Sequence, residues 1–324
     1  MKARNRAVLS RILAMMLVLM LALGLSACGG SEKTETEQEP ADEAAVAAEE
    51  ADAAATEETG TEETEPEAAE EELAEAQFPL TVYEGNGVLF QVKGVEHGMF
   101  GYTWKAYLEN NTDQSLRFTM DGTSICGMMC EPLWAETVEA GKKSNSDISW
   151  SDRTLERNGV TRVDNVEFGL RIQDNEDWSA DPLVDEIVHV YPYGEENATV
   201  LTREPQEGDL VLFENDECRM TVLGWGEDSI WGFGLQVYLE NLSDHNLMFA
   251  VNDASINGFM CDPFWASSVA AGKAEFSEMN WSDRKLEENG IETIEEIELP
   301  ITVRDYDHFS QEPVIDETFT VTIE

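Results

Sequence analysis

One unit occurs twice in this chain, and that repetition constrains the fold more than any other feature. Tyr107-Leu108-Glu109-Asn110 returns as Tyr238-Leu239-Glu240-Asn241, 131 residues later. The same shift maps Cys130-Glu131-Pro132-Leu133-Trp134-Ala135 onto Cys261-Asp262-Pro263-Phe264-Trp265-Ala266. It also maps Ala140-Gly141-Lys142 onto Ala271-Gly272-Lys273, and Trp150-Ser151-Asp152-Arg153 onto Trp281-Ser282-Asp283-Arg284. Nearly half of the aligned positions are identical without a gap. Upstream the shift becomes 130, as Val92-x-Gly94 matches Val222-x-Gly224. One extra residue before Trp231 accounts for the change. A period of this length exceeds that of solenoid repeats, so each copy is expected to be a whole domain.

The pattern inside each copy is that of short strands. Leu80-Thr-Val82-Tyr-Glu84 and Val88-Leu-Phe90-Gln-Val92 flank an Asn86-Gly87 turn, which is a hairpin signal. Val166-Glu-Phe168-Gly-Leu170-Arg-Ile172 alternates apolar and polar residues, as a half-buried strand does. Ser151-Asp152 is placed to cap a short helical turn that Asn158-Gly159 would end. Seven or eight such strands with turns about every ten residues predict a β-sandwich. The fold class expected is all-β: two tandem antiparallel sandwiches, residues 78–203 and 204–324.

The first 77 residues read differently. Lys2, Arg4, Arg6 and Arg11 precede an apolar run from Ile12 to Leu25, and Ser26-Ala27-Cys28 follows. A basic head, an apolar stretch and small residues make a secretory signal peptide, here residues 1–27. The run is too short for a comfortable membrane span. Between Ser31 and Gln77 lie 19 acidic residues and one Lys, with Val46 and Leu73 the only aliphatics larger than Ala. Such a segment has no apolar face to bury, so residues 28–77 are expected to be a disordered acidic tether.

Two resemblances extend this reading. Leu25-Ser26-Ala27-Cys28-Gly29 resembles the lipobox of bacterial lipoproteins. That resemblance implies a diacylglyceryl group on Cys28, cleavage before it, and a mature chain anchored on the outer side of the cell membrane. The repeated order is a strand, a Glu-Asn-x-Thr/Ser-Asp turn, a second strand, then Val-x-Ala-Gly-Lys and Trp-Ser-x-x-x-Leu-Glu-x-Asn-Gly. It resembles the immunoglobulin-like domains of bacterial surface lipoproteins of unknown function. This second resemblance implies a fold and a location, and no catalytic or binding residues.

The formal net charge is −47, from 67 acidic and 20 basic side chains. That excludes the basic footprint a nucleic-acid partner needs. It also disfavours unaided adsorption to an anionic membrane. The four histidines, His97, His189, His245 and His308, never fall on one another under the repeat shift. No nucleophile–base arrangement stands out, so the chain is not expected to be an enzyme and no cofactor is expected. Cys130 and Cys261 hold equivalent positions, whereas Cys218 aligns with Val88 and Cys126 with Asn257. Small buried hydrophobes explain that distribution, with a Cys126–Cys130 disulfide left open.

Candidate contacts remain. Trp134, Trp150, Trp265 and Trp281, preserved in both copies, are expected to be core anchors. The alternative, taken up for Trp134 and Trp265, is an exposed aromatic platform for a glycan ring or a peptide. Arg153 and Arg284 either stack on a Trp, pair with a carboxylate, or are solvated. Asp174, Glu176, Asp177 and Asp181 after one strand, and Asp305 and Asp307 after its counterpart, are hard oxygen donors suited to Ca²⁺, without an ordered calcium motif. The expected function is a non-catalytic, lipid-anchored surface protein that binds an unidentified ligand. The alternative is a carbohydrate- or peptide-binding receptor or adhesin that uses Trp134 and Trp265, with or without calcium.

Overall fold

The computed structural model describes residues 75–99, 101–229 and 232–323. The signal peptide, Cys28 and nearly all of the tether lie outside the described residues. The described chain is all-β, built from antiparallel sheets packed as sandwiches. Both repeats fall within one compact unit.

In the first repeat, β1 (Leu80–Gly85), β2 (Val88–Gly98), β3 (Gly101–Asn110) and β7 (Lys142–Trp150) form a four-stranded sheet in that order. The facing layer holds β4 (Leu116–Ile125), β5 (Met128–Met129), β6 (Ala135–Val138), β8 (Val166–Asp174) and β9 (Val184–Val190). A short helix, α1 (Asp152–Arg157), follows β7. The second repeat uses the same plan. Its first layer is β10 (Leu210–Glu214), β11 (Cys218–Ser229), β12 (Gly232–Asn241) and β17 (Ala274–Trp281). Its second is β15 (Phe259–Met260), β14 (Ser255–Ile256), β18 (Glu296–Asp305), β13 (Leu247–Val251) and β16 (Ala266–Val269), with β19 (Ile315–Thr322) on β18. Helix α2 (Asp283–Glu288) matches α1.

The alternation seen in the sequence becomes the core. Along β8, Val166, Phe168, Leu170 and Ile172 are buried while the residues between them are not, except Gln173 beyond. They meet Phe90, Val92, Trp104 and Leu108 from the opposite sheet in one cluster. Removing a fully buried Phe or Leu from water contributes about 2 to 3 kcal/mol. The second repeat repeats this with Leu235, Val237 and Leu239 against Leu299, Ile301 and Val303.

Three repeated motifs turn out to be structural latches. The buried amides of Asn110 and Asn241 each bridge a turn: Asn110 donates to the carbonyls of Gln114 and Val138, and Asn241 to those of His245 and Val269. Their carbonyl oxygens accept from the backbone and hydroxyl of Thr112 or Ser243. Trp150 and Trp281 are each 1% exposed, and their indoles donate to the carbonyls of Cys130 and Cys261 at 2.8 and 2.7 Å. Gly101 and Gly232 sit against the backbones of those tryptophans with φ of 97° and 106°. A Cβ there would lie 2.2 and 2.4 Å from the Trp carbonyl oxygens, so only glycine fits. Ser151 caps α1 by accepting from the Thr154 N–H, as expected, whereas Ser282 makes no such bond on α2.

Asn86 and Gly87 adopt positive φ at the first hairpin, as the Asn-Gly pair predicted. A second such turn was hidden. Cys126-Gly127 and Asn257-Gly258 occupy equivalent left-handed turns, with φ of 51° and 50° at Cys126 and Asn257. All four described cysteines are free and buried, so the Cys126–Cys130 pairing left open by the sequence is not made.

The expected boundaries are softer than the repeat suggests. Gln77, the last residue expected in the tether, donates its N–H to Pro192. Arg203 and Asp209, on either side of the expected 203/204 boundary, form a two-pronged ion pair at 2.6 and 2.7 Å.

The two repeats share a sheet. β5 of the first pairs in parallel with β17 of the second, Met128 facing Ala274. The sheet therefore runs β10-β11-β12-β17-β5-β4-β8-β9 through both repeats. Met129 enters the second repeat's hydrophobic cluster.

Candidate functional site

Trp134 and Trp265 sit at the same point of each repeat, just before β6 and β16. Neither is the exposed platform that the receptor reading required: both are half-buried and packed against the core clusters. Their indole N–H groups are already spent, donating at 2.9 Å to Ser146 and Ser277. Trp134 also stacks on Phe90, with ring centres 5.7 Å apart. The physical reason is that Ser146 on β7 and Ser277 on β17 hold the indole N–H groups, so that only part of each ring meets water.

The residues next to them were missed. Leu133 and Phe264 are 105% and 95% exposed, each between a buried Pro and a pinned Trp. Pro132 and Trp134 hold the loop from both sides, which lifts the residue between them off the surface. The available signal was an apolar residue kept apolar in both copies of Pro-x-Trp, inside a loop too short to bury three large side chains.

Arg153 and Arg284 lie in the first turns of α1 and α2, exposed and without an ion pair or ring contact among the described residues. The structure does not bring them to the tryptophans. The acidic loops are internally bonded. Asp174 accepts the backbone N–H groups of Glu176 and Asp177 and the amide of Gln114. Asp177 accepts from the backbone and hydroxyl of Ser179, which holds its carboxyl below the usual range. Asp305 accepts from Asp307 and His308, and the His308 ring lies 2.9 Å from it. Asp174, Asp177 and Asp305 thus spend carboxylate oxygens on Asx turns within their own loops. Among the described residues no group of three or more His, Cys, Asp or Glu side chains is placed to hold a metal ion.

A cleft of about 830 Å³ lies in the second repeat. Trp225, Phe233, Leu286 and Ile294 supply its apolar lining, and Asp283 and Glu292 line it with carboxylates. Trp225 is 39% exposed there. In the first repeat the linker after β9 comes to the matching region, where the Arg162 guanidinium stacks 4.8 Å over Tyr193. No helix among the described residues is long and apolar enough to cross a membrane.

No family model matches the chain, and no curated protein matches it in sequence.

Proposed function

We propose that this is a non-catalytic, lipid-anchored binding protein of the bacterial cell surface, held at Cys28 and displayed on an acidic tether as two immunoglobulin-like domains. The observation that carries the binding role is the duplicated apolar residue in solvent: Leu133 and Phe264, at the same loop of each repeat. Single exposed apolar residues are ordinary. Two at equivalent positions, each braced by a buried Pro and a hydrogen-bonded Trp, are anchors for a partner's pocket. A few well-packed residues carry most of the affinity at protein interfaces. The lipid anchor rests on the Leu25-Ser-Ala-Cys28 sequence and the tether on residues 28–77.

Capture from the surface fraction of the producing cell tests the binding role. A partner retained by the chain and lost with Leu133→Ser/Phe264→Ser supports it; equal capture by the double variant refutes it. Incorporation of a labelled lipid precursor, abolished by Cys28→Ala, tests the anchor.

A second reading, a receptor for a carbohydrate or a peptide, draws support from the cleft at Trp225. An aromatic wall with carboxylates beside it suits a neutral ring or a cationic side chain. On this reading the aromatic contact is Trp225, 39% exposed, rather than Trp134 or Trp265.

A further inference from the structure

The contact between the two repeats has a vacant counterpart at each end of the molecule. Within the chain, the small edge strand β5 of the first repeat adds to β17 of the second. The Gly127 carbonyl accepts the Ala274 N–H at 3.1 Å, and Lys273 pairs with Glu167 at 2.7 Å. The repeat shift turns β5 into β15, Met128-Met129 into Phe259-Met260, and Glu167 into Glu298. It turns the receiving positions Lys273 and Ala274 into Lys142 and Lys143, at the start of β7.

Neither counterpart is covered by the described residues. β15 ends its six-stranded sheet and β7 ends its four-stranded sheet. Met128 and Met129 are 1% and 7% exposed, but Phe259 and Met260 are 50% and 63% exposed. The Cys126-Gly127 turn that presents β5 is matched by the Asn257-Gly258 turn that presents β15, with nearly identical φ angles. The exposed edges also carry opposite charge. Glu298, paired with Ser255 of β14, lies exposed on the donor side; Lys142 stands exposed on the receiving side next to Lys143, whose ammonium already pairs with Glu109 at 2.8 Å, in a chain with 67 acidic and only 20 basic residues. An unpaired strand edge with apolar side chains is a template for a further strand.

We propose that β15 of one molecule adds to β7 of a second copy, repeating between chains the junction that β5 and β17 make within one. Glu298 meets Lys142 as Glu167 meets Lys273, and Phe259 faces Lys143 as Met128 faces Ala274. The contact is heterologous: each molecule offers one edge and receives on the other, so the assembly is an open, head-to-tail array rather than a closed pair.

Sedimentation velocity of the full chain over a concentration series tests this. The expected result is a mass that climbs past the dimer with concentration. Met260→Asp, a change at an exposed position, raises the concentration needed at least tenfold. Lys142→Glu and Glu298→Lys each weaken association alone, and an equimolar mixture restores it. As a second measurement, Phe259→Cys mixed with Lys143→Cys gives a disulfide-linked pair under mild oxidation, while Phe259→Cys alone gives none. A monomer at every concentration, as when the lysines only guard the edge, overturns the proposal. So does a plateau at a dimer, association indifferent to Met260→Asp, or cross-linking of Phe259→Cys with itself.

Discussion

Lys273 reaches out of the second repeat to Glu167 of the first, with Nζ 2.7 Å from Oε2 and both side chains mostly shielded from water. The pair lies beside the Met128–Ala274 strand contact, so it staples two bodies that the sequence presents as separate copies. A shielded charge-assisted bond is stronger than a surface ion pair, which contributes about 0 to 1 kcal/mol. Lys273→Ala is expected to cost about 1 to 2 kcal/mol, and the double-mutant cycle with Glu167→Ala to give a coupling of about 1 kcal/mol. Urea denaturation checks this: loss of the staple should also separate the unfolding of the two repeats. Additive single effects would show that the pair carries no coupling.

The junction also holds a carboxyl that pays for its position. Burial pushes the pKa of Glu275 up, opposed by the Ser267 hydroxyl that donates to it and by the nearby Arg157 charge. A raised folded-state value means the protonated form is favoured by folding. The stabilising contribution is complete below the unfolded value of 4.5 and is lost as pH rises through the folded value. Acidification toward pH 5 should therefore raise the melting temperature of the native chain relative to Glu275→Gln, and the difference between the two should shrink as pH falls. General relief of the acidic surface acts on both proteins alike and cancels in that difference. A difference independent of pH refutes the assignment.

Much of this fold is legible in sequence, and the reasons are local. β8 announces itself because every second residue from Val166 to Ile172 is a large apolar one. The Asn86-Gly87 turn needs no tertiary help, since the pair tolerates positive φ. The β4–β5 turn was invisible because Cys126 stands where an Asn is usual; its sulfur is instead held among Asp164 and Thr199, contacts 38 and 73 residues distant. The join of β5 to β17 was equally hidden: it depends on which edge meets which, and alternation along one strand carries no information about its neighbour. The exposure of Leu133 left a weaker trace, an apolar residue kept in both copies of Pro-x-Trp. The cleft at Trp225 is also assembled from distant segments, so no spacing reveals it.

The tryptophan latches make a symmetrical prediction. Trp150→Phe and Trp281→Phe each remove one indole donor and strand a buried carbonyl, of Cys130 or Cys261. An orphaned buried acceptor costs about 1 to 3 kcal/mol, and the smaller ring adds a cavity. Each variant should lose about 2 to 4 kcal/mol by chemical denaturation. The exposed Leu133→Ser change should stay within about 0.5 kcal/mol of the native chain. A large loss at Leu133 would mean that it packs in solution and is not an anchor.

The four buried cysteines, Cys126, Cys130, Cys218 and Cys261, should be silent in the folded protein. Burial raises the thiol of Cys130 to about 11 and that of Cys218 to about 12, and it raises Cys126 and Cys261 as well. The thiolate is the reactive species, so at pH 8 these groups are both shielded and almost wholly protonated. Maleimide followed by mass spectrometry should leave all four unmodified in the native state and label all four in denaturant. Labelling of Cys126 alone under native conditions would show that its turn opens.

Calcium addresses the acidic loops directly. Asp174 and Asp305 turn their oxygens onto backbone N–H groups of their own loops, and a cation would have to displace those bonds before it gained any ligand. Net attraction remains, since a chain at −47 concentrates divalent ions near its surface. Such an atmosphere responds to magnesium as it does to calcium, whereas a built site discriminates by size and ligand number. Binding of an ion to the native state raises the melting temperature with its concentration. The expected result is therefore a small, equal shift with either ion at millimolar concentration, abolished by 0.15 M salt. A shift specific to calcium that survives the salt, and that disappears with Asp174→Asn or Asp305→Asn, would place a site where the loops now close on themselves.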